Sequence, residues 1–346
     1  KQQHNLRGES SVNLHGTMPD DIRDLESGEA KKQSPKTNPL RAVQWPPRSP
    51  LQIFRNGVKY LKSIFKPLEV VFLGAFVVLC YKLPDLIIDQ HYREVPYQTT
   101  KAGDIIYDSR FVLTTKEETF PGPIADAVTV YVPLSVFWLV GNFLGAKGDG
   151  HAAISMYTLA VALKIFMVEA IKNYVGYWRP NAYGTGCQSE DCLPKDPADL
   201  GWFAYSSFPS GHAATAMMAG TLLSFYLLGK IAGWAQQRRT TRYWSPSFPI
   251  KLLLVAACIP FLVGVFIAVS RIVDDWHHPA DVLAGIEIGI VTALLAHALY
   301  YPSTLGEWAG IPRSALADLG GPRHDDNEHY ELSERTQPTE GPRSPV

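Results

Sequence analysis

The run KLLLVAACIPFLVGVFIAV (251–269), the hinge Ser270-Arg271-Ile272-Val273-Asp274-Asp275-Trp276-His277-His278-Pro279-Ala280-Asp281, and the run VLAGIEIGIVTALLAHALYY (282–301) decide how this chain reads. Each apolar run is close to the ~20 residues that a helix needs to cross a bilayer. Lys251 is the one formal charge in the first run and Glu287 the one in the second. The hinge is polar, with an arginine and two histidines, so any chemistry placed there is held at a membrane face. Pro279 suits the first turn of the second helix, where its missing N–H costs nothing. A helix starting near His278 puts Asp281 in its first turn, within reach of the His277 ring. A carboxylate there fixes the ring tautomer and raises the basicity of the far nitrogen, which an imidazole nucleophile or general base needs. The same residues would also make a plain interfacial turn with a capping Asp, and the stretch alone does not separate the two.

Four more runs precede this pair, at about 68–88, 123–144, 152–174 and 213–231. The first is the weakest, broken by Lys82, Pro84 and Asp85. Helices of soluble domains show one polar face, which six runs of this kind lack. The expected fold is all-α, a polytopic membrane protein with six transmembrane helices and a kink at Pro260 in the fifth. The mean hydropathy, near zero, hides the segregation of apolar residues into the middle of the chain. Residues 1–50 are rich in Gln, Asn, Ser and Pro and are expected to be a disordered tail. Residues 51–67 form a basic juxtamembrane segment, 68–302 the membrane domain, and 303–346 a second disordered tail. The first fifty residues hold no short apolar core with a small-residue cleavage site, so no signal peptide is read there. A net charge of -1 gives no reason to expect a nucleic-acid partner.

Loop charges suggest an orientation. Lys230, Arg238, Arg239, Arg242 and Lys251 flank or fill the connection between the fourth and fifth runs, without an acid among them. By the positive-inside tendency that loop is cytosolic, and Arg55, Lys59, Lys62 and Lys66 before the first run agree. Both tails are then cytosolic, and the loops 89–120 and 176–210 and the 270–281 hinge share the opposite face. The 89–120 loop carries its own cations, accompanied by six acids, which weakens the signal without reversing it. Cys187 and Cys192 lie on that opposite side, where an oxidising compartment would allow a disulfide.

Three polar clusters fall on the same face. The first is Lys172 to Arg179-Pro180, seven residues apart, so the two cations share a direction if the helix continues that far. The second is Phe208-Pro209-Ser210-Gly211-His212, where Ser210 caps a helix, Gly211 lets an anion approach the backbone and the helix N-terminus attracts a phosphate. His212 is placed to give a proton to a departing oxygen. The third is the hinge. Each cluster alone also reads as snorkelling cations or an ordinary capped helix. Together they hold three cations, a helix N-terminus, two imidazoles and a carboxylate, the set that phosphoryl transfer needs without a metal. Lys164, Glu169 and Glu287 are further charges inside the runs. They suit structural pairing as well as substrate contact and stay outside the expected site.

These motifs resemble those of the type 2 phosphatidic acid phosphatase superfamily, the lipid phosphate phosphatases. That family has Lys, six residues, Arg-Pro; then Pro-Ser-Gly-His; then Ser-Arg, five residues, His, three residues, Asp. Lys172 to Pro180, Pro209 to His212, and Ser270-Arg271 to His277 and Asp281 match in order and spacing. The resemblance implies a membrane phosphatase without a metal or organic cofactor. By family roles, His277 is the nucleophile that forms a phosphohistidine, Asp281 orients it and His212 protonates the leaving group. Lys172, Arg179, Ser210, Gly211 and Arg271 would bind the phosphate. The implied partner is a lipid phosphate held in the bilayer, such as phosphatidate or diacylglycerol pyrophosphate; a homo-oligomer is left open. A polyisoprenyl-diphosphate or sugar-phosphate phosphatase on the same scaffold is a second reading, and a non-catalytic scaffold or transporter a third. The motif is also similar to that of vanadium haloperoxidases, which are soluble, and six spans speak against them.

Overall fold

The computed structural model describes residues 67–91, 93–94, 97–102, 105–113, 116–183, 201–237, 246–306 and 308–316. The expected tail 1–50, the expected tail 303–346 from residue 317 on, most of the basic segment, the cysteines 187 and 192 and residues 238–245 of the basic loop lie outside them.

Among the described residues, six helices are long and apolar enough to cross a membrane: Leu68–Ile87, Gly122–Phe143, Asp149–Val175, Gly211–Gln236, Phe248–Val273 and Pro279–Tyr300. They are the first to sixth spans below. Each coincides with an expected run to within a few residues, and the chain is an all-α integral membrane protein. Besides short helical turns at Ser109–Phe111, Gly201–Ala204 and Arg313–Leu316, the described residues add a short antiparallel pair in the loop after the first span. There β1 (Tyr97–Thr99) meets β2 (Ile105–Tyr107), with Tyr97 opposite Tyr107.

The fourth span is the hub. Of its most apolar window 72% is buried, against 44% or less in the other five spans. Its inward residues are small or flexible: Ala213, Ala214, Ala216, Met217, Met218 and Leu222 are all buried. Without a hydrophobic drive between helices in lipid, close approach supplies the packing energy, and small residues allow it. Gly289 of the sixth span shows how close: a β-carbon there would sit 2.5 Å from the Ala214 carbonyl oxygen. Large apolar side chains such as Leu68, Phe266 and Leu283 point outward, as a lipid-facing surface requires.

Two spans are broken at prolines. The fifth is interrupted at Ala257–Cys258, between helices Phe248–Ala256 and Ile259–Val273. Pro260 has no N–H for the Ala256 carbonyl, which explains the kink expected there. In the second span, Pro133 cannot donate to the Thr129 carbonyl, and residues Ala127–Tyr131 form a π turn. The Tyr157 hydroxyl donates to that orphaned carbonyl at 2.7 Å.

The chain beyond the sixth span departs from expectation. Residues 303–316, expected to open a disordered tail, fold back onto the bundle as far as they are described. Ile311, Ala315 and Leu316 bury against Ala146, and Trp308 packs on them. Polar anchors explain why a Gly- and Pro-rich segment is ordered here. Lys230 donates to the Gly310 carbonyl, the Gln236 amide to the Leu305 and Gly306 carbonyls at 2.9 Å each, and Arg313 to the Ala298 carbonyl at 3.0 Å. Lys230 also pairs with the fully buried Asp149 at 2.6 Å. The Tyr226 and Tyr301 hydroxyls donate to the same carboxylate, at 2.9 Å each.

Removing one partner of a buried charge pair typically costs about 3–5 kcal/mol, because the other charge is left uncompensated. Asp149→Ala is therefore expected to lower the thermal midpoint of the detergent-solubilised protein sharply. The double variant Asp149→Leu with Lys230→Met should recover most of the loss; a double variant as unstable as the single one would contradict this account.

Candidate active site

The site is assembled where the third span ends and the fourth and sixth begin. The third helix stops at Val175, with Gly176 in the left-handed region at φ 53 and its N–H on the Lys172 carbonyl. Lys172 thus sits in the last turn. The helix does not continue to Arg179, so the shared direction expected from a seven-residue spacing is not how the two cations meet. Residues 177–180 instead run beside the segment before the fourth span. Arg179 N donates to the Ala204 carbonyl at 2.8 Å and Ser207 N to the Tyr177 carbonyl at 2.9 Å. This delivers the Arg179 guanidinium to the site from the loop side. Its Nε donates to the Phe203 carbonyl at 2.9 Å and its plane lies over the Phe203 ring at 4.0 Å. Burial, partly offset by the Asp281 carboxylate, pulls the Arg179 pKa down to about 10, so it stays charged at neutral pH.

The fourth span begins at Gly211, and the Ser210 hydroxyl accepts from the Ala213 N–H at 3.4 Å, the N-cap expected from the sequence. A β-carbon on Gly211 would meet Lys172 Nζ at 3.6 Å. Free backbone N–H groups, a helix dipole end and an ammonium therefore share one small space, a natural cradle for a tetrahedral oxyanion.

His277 is 3% exposed, and its environment settles its tautomer. Its Nδ1 lies 2.9 Å from the Ser207 carbonyl oxygen. A carbonyl only accepts, so Nδ1 carries the proton and Nε2 the lone pair. Nε2 lies 3.4 Å from Arg179 Nη1. Burial and the Arg179 charge lower the His277 pKa while Asp281 opposes them, and the net direction is down. The ring is neutral at neutral pH.

Asp281 does not accept directly from the His277 ring, as its place in the first turn had suggested. Its Oδ2 is 3.7 Å from Nδ1, beyond hydrogen-bond length, and takes instead the Ser207 hydroxyl at 2.5 Å and the His278 N–H at 2.9 Å. The carboxylate acts on the imidazole through space and by holding Ser207. Nothing in the motif spacing singles out Ser207; its position directly before Phe208-Pro209-Ser210 was the only signal.

Lys172, Arg179, Gly211, His212 and His277 line one cavity of about 330 Å³. Ser210 and Asp281 support its wall from behind, joined by a 2.9 Å bond from Ser210 N to the Asp281 carbonyl. Arg271 is not in that wall. Its guanidinium meets Glu118 at 3.3 Å, Asp274 at 2.9 Å and the Phe120 carbonyl at 3.2 Å. Asp274 is in turn held by the Thr119 N–H at 2.9 Å and hydroxyl at 2.6 Å, and Lys116 pairs with Asp275 at 2.7 Å. Residues 116–120 thus strap the hinge, a role that the mixed charge of their loop did not disclose. His278 turns away, its Nε2 at 3.1 Å from the Trp178 carbonyl and its ring against Phe111 and Tyr177.

Residues 153–305 match the model of the PAP2 superfamily. The chain is 26% identical over 239 residues to Lipid phosphate phosphatase 2 of Arabidopsis thaliana, which covers 66% of this chain and 78% of that protein. It is 28% identical over 231 residues to Probable lipid phosphate phosphatase 4 of the same plant, covering 62% and 69%. Diacylglycerol pyrophosphate phosphatase 1 of Saccharomyces cerevisiae is 25% identical over 189 residues, covering 49% and 61%. No solved structure matches the chain.

If the cavity is an oxyanion cradle, millimolar inorganic phosphate or tungstate should raise the thermal midpoint, as any ligand of the folded state does. Arg179→Gln is expected to abolish that gain. Ser207→Ala, which alters only the back of the imidazole, should keep it. Loss of the gain in Ser207→Ala with retention in Arg179→Gln would put the anion elsewhere.

Proposed function

Residues 153–305 form a domain of the PAP2 superfamily, the type 2 phosphatidic acid phosphatases, and on that premise we propose that the chain is an integral membrane lipid phosphate phosphatase. The observation that carries this reading is the unprotonated Nε2 of His277, which meets Arg179 Nη1 at 3.4 Å in the lining of a cavity shared with Arg179, Lys172 and a helix N-terminus. The substrates are lipid phosphomonoesters such as phosphatidate and related lipids including diacylglycerol pyrophosphate. The relatives named for lipid phosphates and for diacylglycerol pyrophosphate support that class.

In the first step His277 Nε2 forms a P–N bond as the ester P–O bond breaks. His212 gives a proton to the leaving alkoxide, and a phosphohistidine remains. In the second step water attacks phosphorus, the P–N bond breaks and the water proton returns to His212, releasing inorganic phosphate. Lys172, Arg179 and the Gly211 N–H hold the equatorial oxygens, whose charge grows in the transition state. Asp281 steadies the imidazolium character that develops on His277. Arg271 braces the hinge: its carbonyl takes the N–H groups of Trp276 at 3.1 Å and His277 at 3.2 Å. Ser210 holds the helix start at which the phosphate rests. Protein cations supply the charge that a metal supplies elsewhere, so the reaction needs no metal.

His277→Ala should abolish turnover and phosphoenzyme, whereas His278→Ala should stay active. General acid catalysis typically contributes ~10²–10⁴-fold. His212→Ala should accordingly keep more of its wild-type activity on p-nitrophenyl phosphate, whose leaving group is a weak base, than on an alkyl phosphate lipid. Wild-type turnover should survive excess EDTA; activity that disappears in chelator and returns with magnesium would sink the mechanism.

The basic loop between the fourth and fifth spans supports an orientation with both tails cytosolic and the site on the extracellular or lumenal face. A single-cysteine label in 176–210 should then react with an impermeant reagent only from the face opposite a terminal tag. Labelling of both from one side would overturn this orientation.

A further inference from the structure

The cavity that holds His277 shares two lining residues, Thr129 of the second span and Ile267 of the fifth, with a second hollow of about 180 Å³. The fourth span shows how the two follow one another. Gly211, His212 and Thr215 line the first, and Ala216, Ala219, Gly220 and Leu223 line the second. Steps of four residues keep these positions on one face of the helix. That face runs from the active-site end into the bilayer and turns from polar to apolar at Thr215. The fifth span repeats the pattern, with Ile267 at the join and Gly264, Val263, Pro260 and Ile259 beyond it. Ile259 and Ile267 belong to one helix and lie eight residues apart, about 12 Å along its axis. Thr129 is the one polar side chain in the wall of the second hollow, and its hydroxyl proton goes to the Ala125 carbonyl at 2.8 Å.

The fourth and fifth spans close the floor of this hollow. A β-carbon on Gly220 would lie 2.5 Å from the Pro260 carbonyl oxygen, and one on Gly264 2.7 Å from the Ala216 carbonyl oxygen. Its side is open instead. Val132 of the second span and Ile259 and Val263 of the fifth line it and are exposed on the surface that faces lipid. Pro133 and Pro260, the prolines at which the two spans depart from regular helix, both line it as well. The result is an apolar groove that begins at the edge of the phosphate cavity and opens sideways to the bilayer. A lipid tail gains no hydrophobic drive by leaving bilayer for groove, since both are apolar. What a groove adds is alignment: a misplacement of about 1 Å at the reacting centre can cost on the order of 10²-fold in rate.

Resting on the phosphatase reading, we propose that this groove between the second, fourth and fifth spans seats one acyl chain of the lipid phosphate, which enters it sideways from the bilayer. The headgroup then occupies the cavity of Lys172, Arg179 and His277, and the chain leaves it past Thr129 and Ile267. A chain fixed along the groove holds the ester phosphorus at one depth and one angle to His277. A phosphate ester without a chain lacks that guide.

The test has two arms on the purified full chain. The first is kcat/KM on dipalmitoyl phosphatidate and on p-nitrophenyl phosphate. Val263→Trp, which puts bulk into the groove from its open side, should lower the phosphatidate-to-p-nitrophenyl-phosphate ratio by about tenfold or more, the size of a small misfit in an apolar pocket. Leu262→Trp adds the same bulk at an exposed neighbour outside the groove wall and should keep the wild-type ratio. An unchanged ratio in an active Val263→Trp protein, or the same drop in both variants, would overturn the inference. The second arm uses a non-hydrolysable phosphonate analogue of phosphatidate with a diazirine on one acyl chain. Photolysis should label residues 128–133 and 259–264, and a diacylglycerol with the same diazirine should label them only weakly. Equal labelling by the two probes would make the groove a general lipid crevice and overturn the inference, as would labelling confined to other spans. Labelling needs no turnover. Wild-type protein that hydrolyses neither substrate would therefore overturn the phosphatase reading, while the labelling pattern would still decide where the chain sits.

Discussion

The site hangs from one backbone hydrogen bond, 2.9 Å from Ser210 N to the Asp281 carbonyl, which ties the start of the fourth span to the start of the sixth. The two helices could not come this close with an ordinary side chain between them. A β-carbon on Gly285 would lie 2.5 Å from the Ser210 carbonyl oxygen, one turn along from the bond. Two helix N-termini therefore converge on the same few ångströms, and each brings unpaired N–H groups and a positive dipole end. Such a place is costly to leave without negative charge. The Asp281 carboxylate answers the sixth helix, taking the His278 N–H and the Ser207 hydroxyl. The fourth helix keeps its first N–H groups beside Lys172, which is where a phosphate dianion would be most welcome.

Hydrocarbon in the middle of the fold drives polarity to the two ends, and each end solves a different problem. At one end Asp149 is saturated: Lys230, Tyr226 and Tyr301 satisfy it, and the chain after the sixth span seals it from water. Such a cluster has no lone pair or charge left for chemistry, so it binds helices together. At the other end the cations outnumber the acids around the cavity, and the His277 lone pair is left facing it. The same physics of buried charge gives a clamp when every group is answered and a binding site when one sign is left over.

The six spans were legible because each must bury or expose apolar residues over a fixed length, a constraint that writes itself plainly into sequence. The three motif clusters were legible because a helix cap, a proline and a charged side chain must recur at set intervals to meet at one membrane face. What escaped reading depends on backbone geometry instead. The left-handed turn at Gly176 redirects Arg179, and no spacing argument anticipates it. The Ser207 carbonyl accepts the Nδ1–H of His277 where a carboxylate had seemed the natural acceptor, and a carbonyl contact leaves no trace in residue identity. The strap at 116–120 and the folded segment at 303–316 look like solvated loops by composition. They are ordered by a few long-range bonds to Asp274, Lys230 and Gln236 that composition cannot reveal.

The second span shows how a local fault becomes part of the site. Pro133 removes a hydrogen bond from the Thr129 carbonyl, and a carbonyl left bare inside the bundle is expensive. Tyr157 of the third span repairs it with its hydroxyl, at 2.7 Å, from a buried position beside Phe137. The repair lets the backbone from Ala127 to Tyr131 stay in a wide π turn rather than close into a regular helix. Thr129 of that turn, with Asp126 just before it, lines the cavity. A proline, a tyrosine and one carbonyl thus shape the helix that carries Thr129 to the cavity. Neither Pro133 nor Tyr157 lines that cavity, which is why a reading confined to the motifs passes over them.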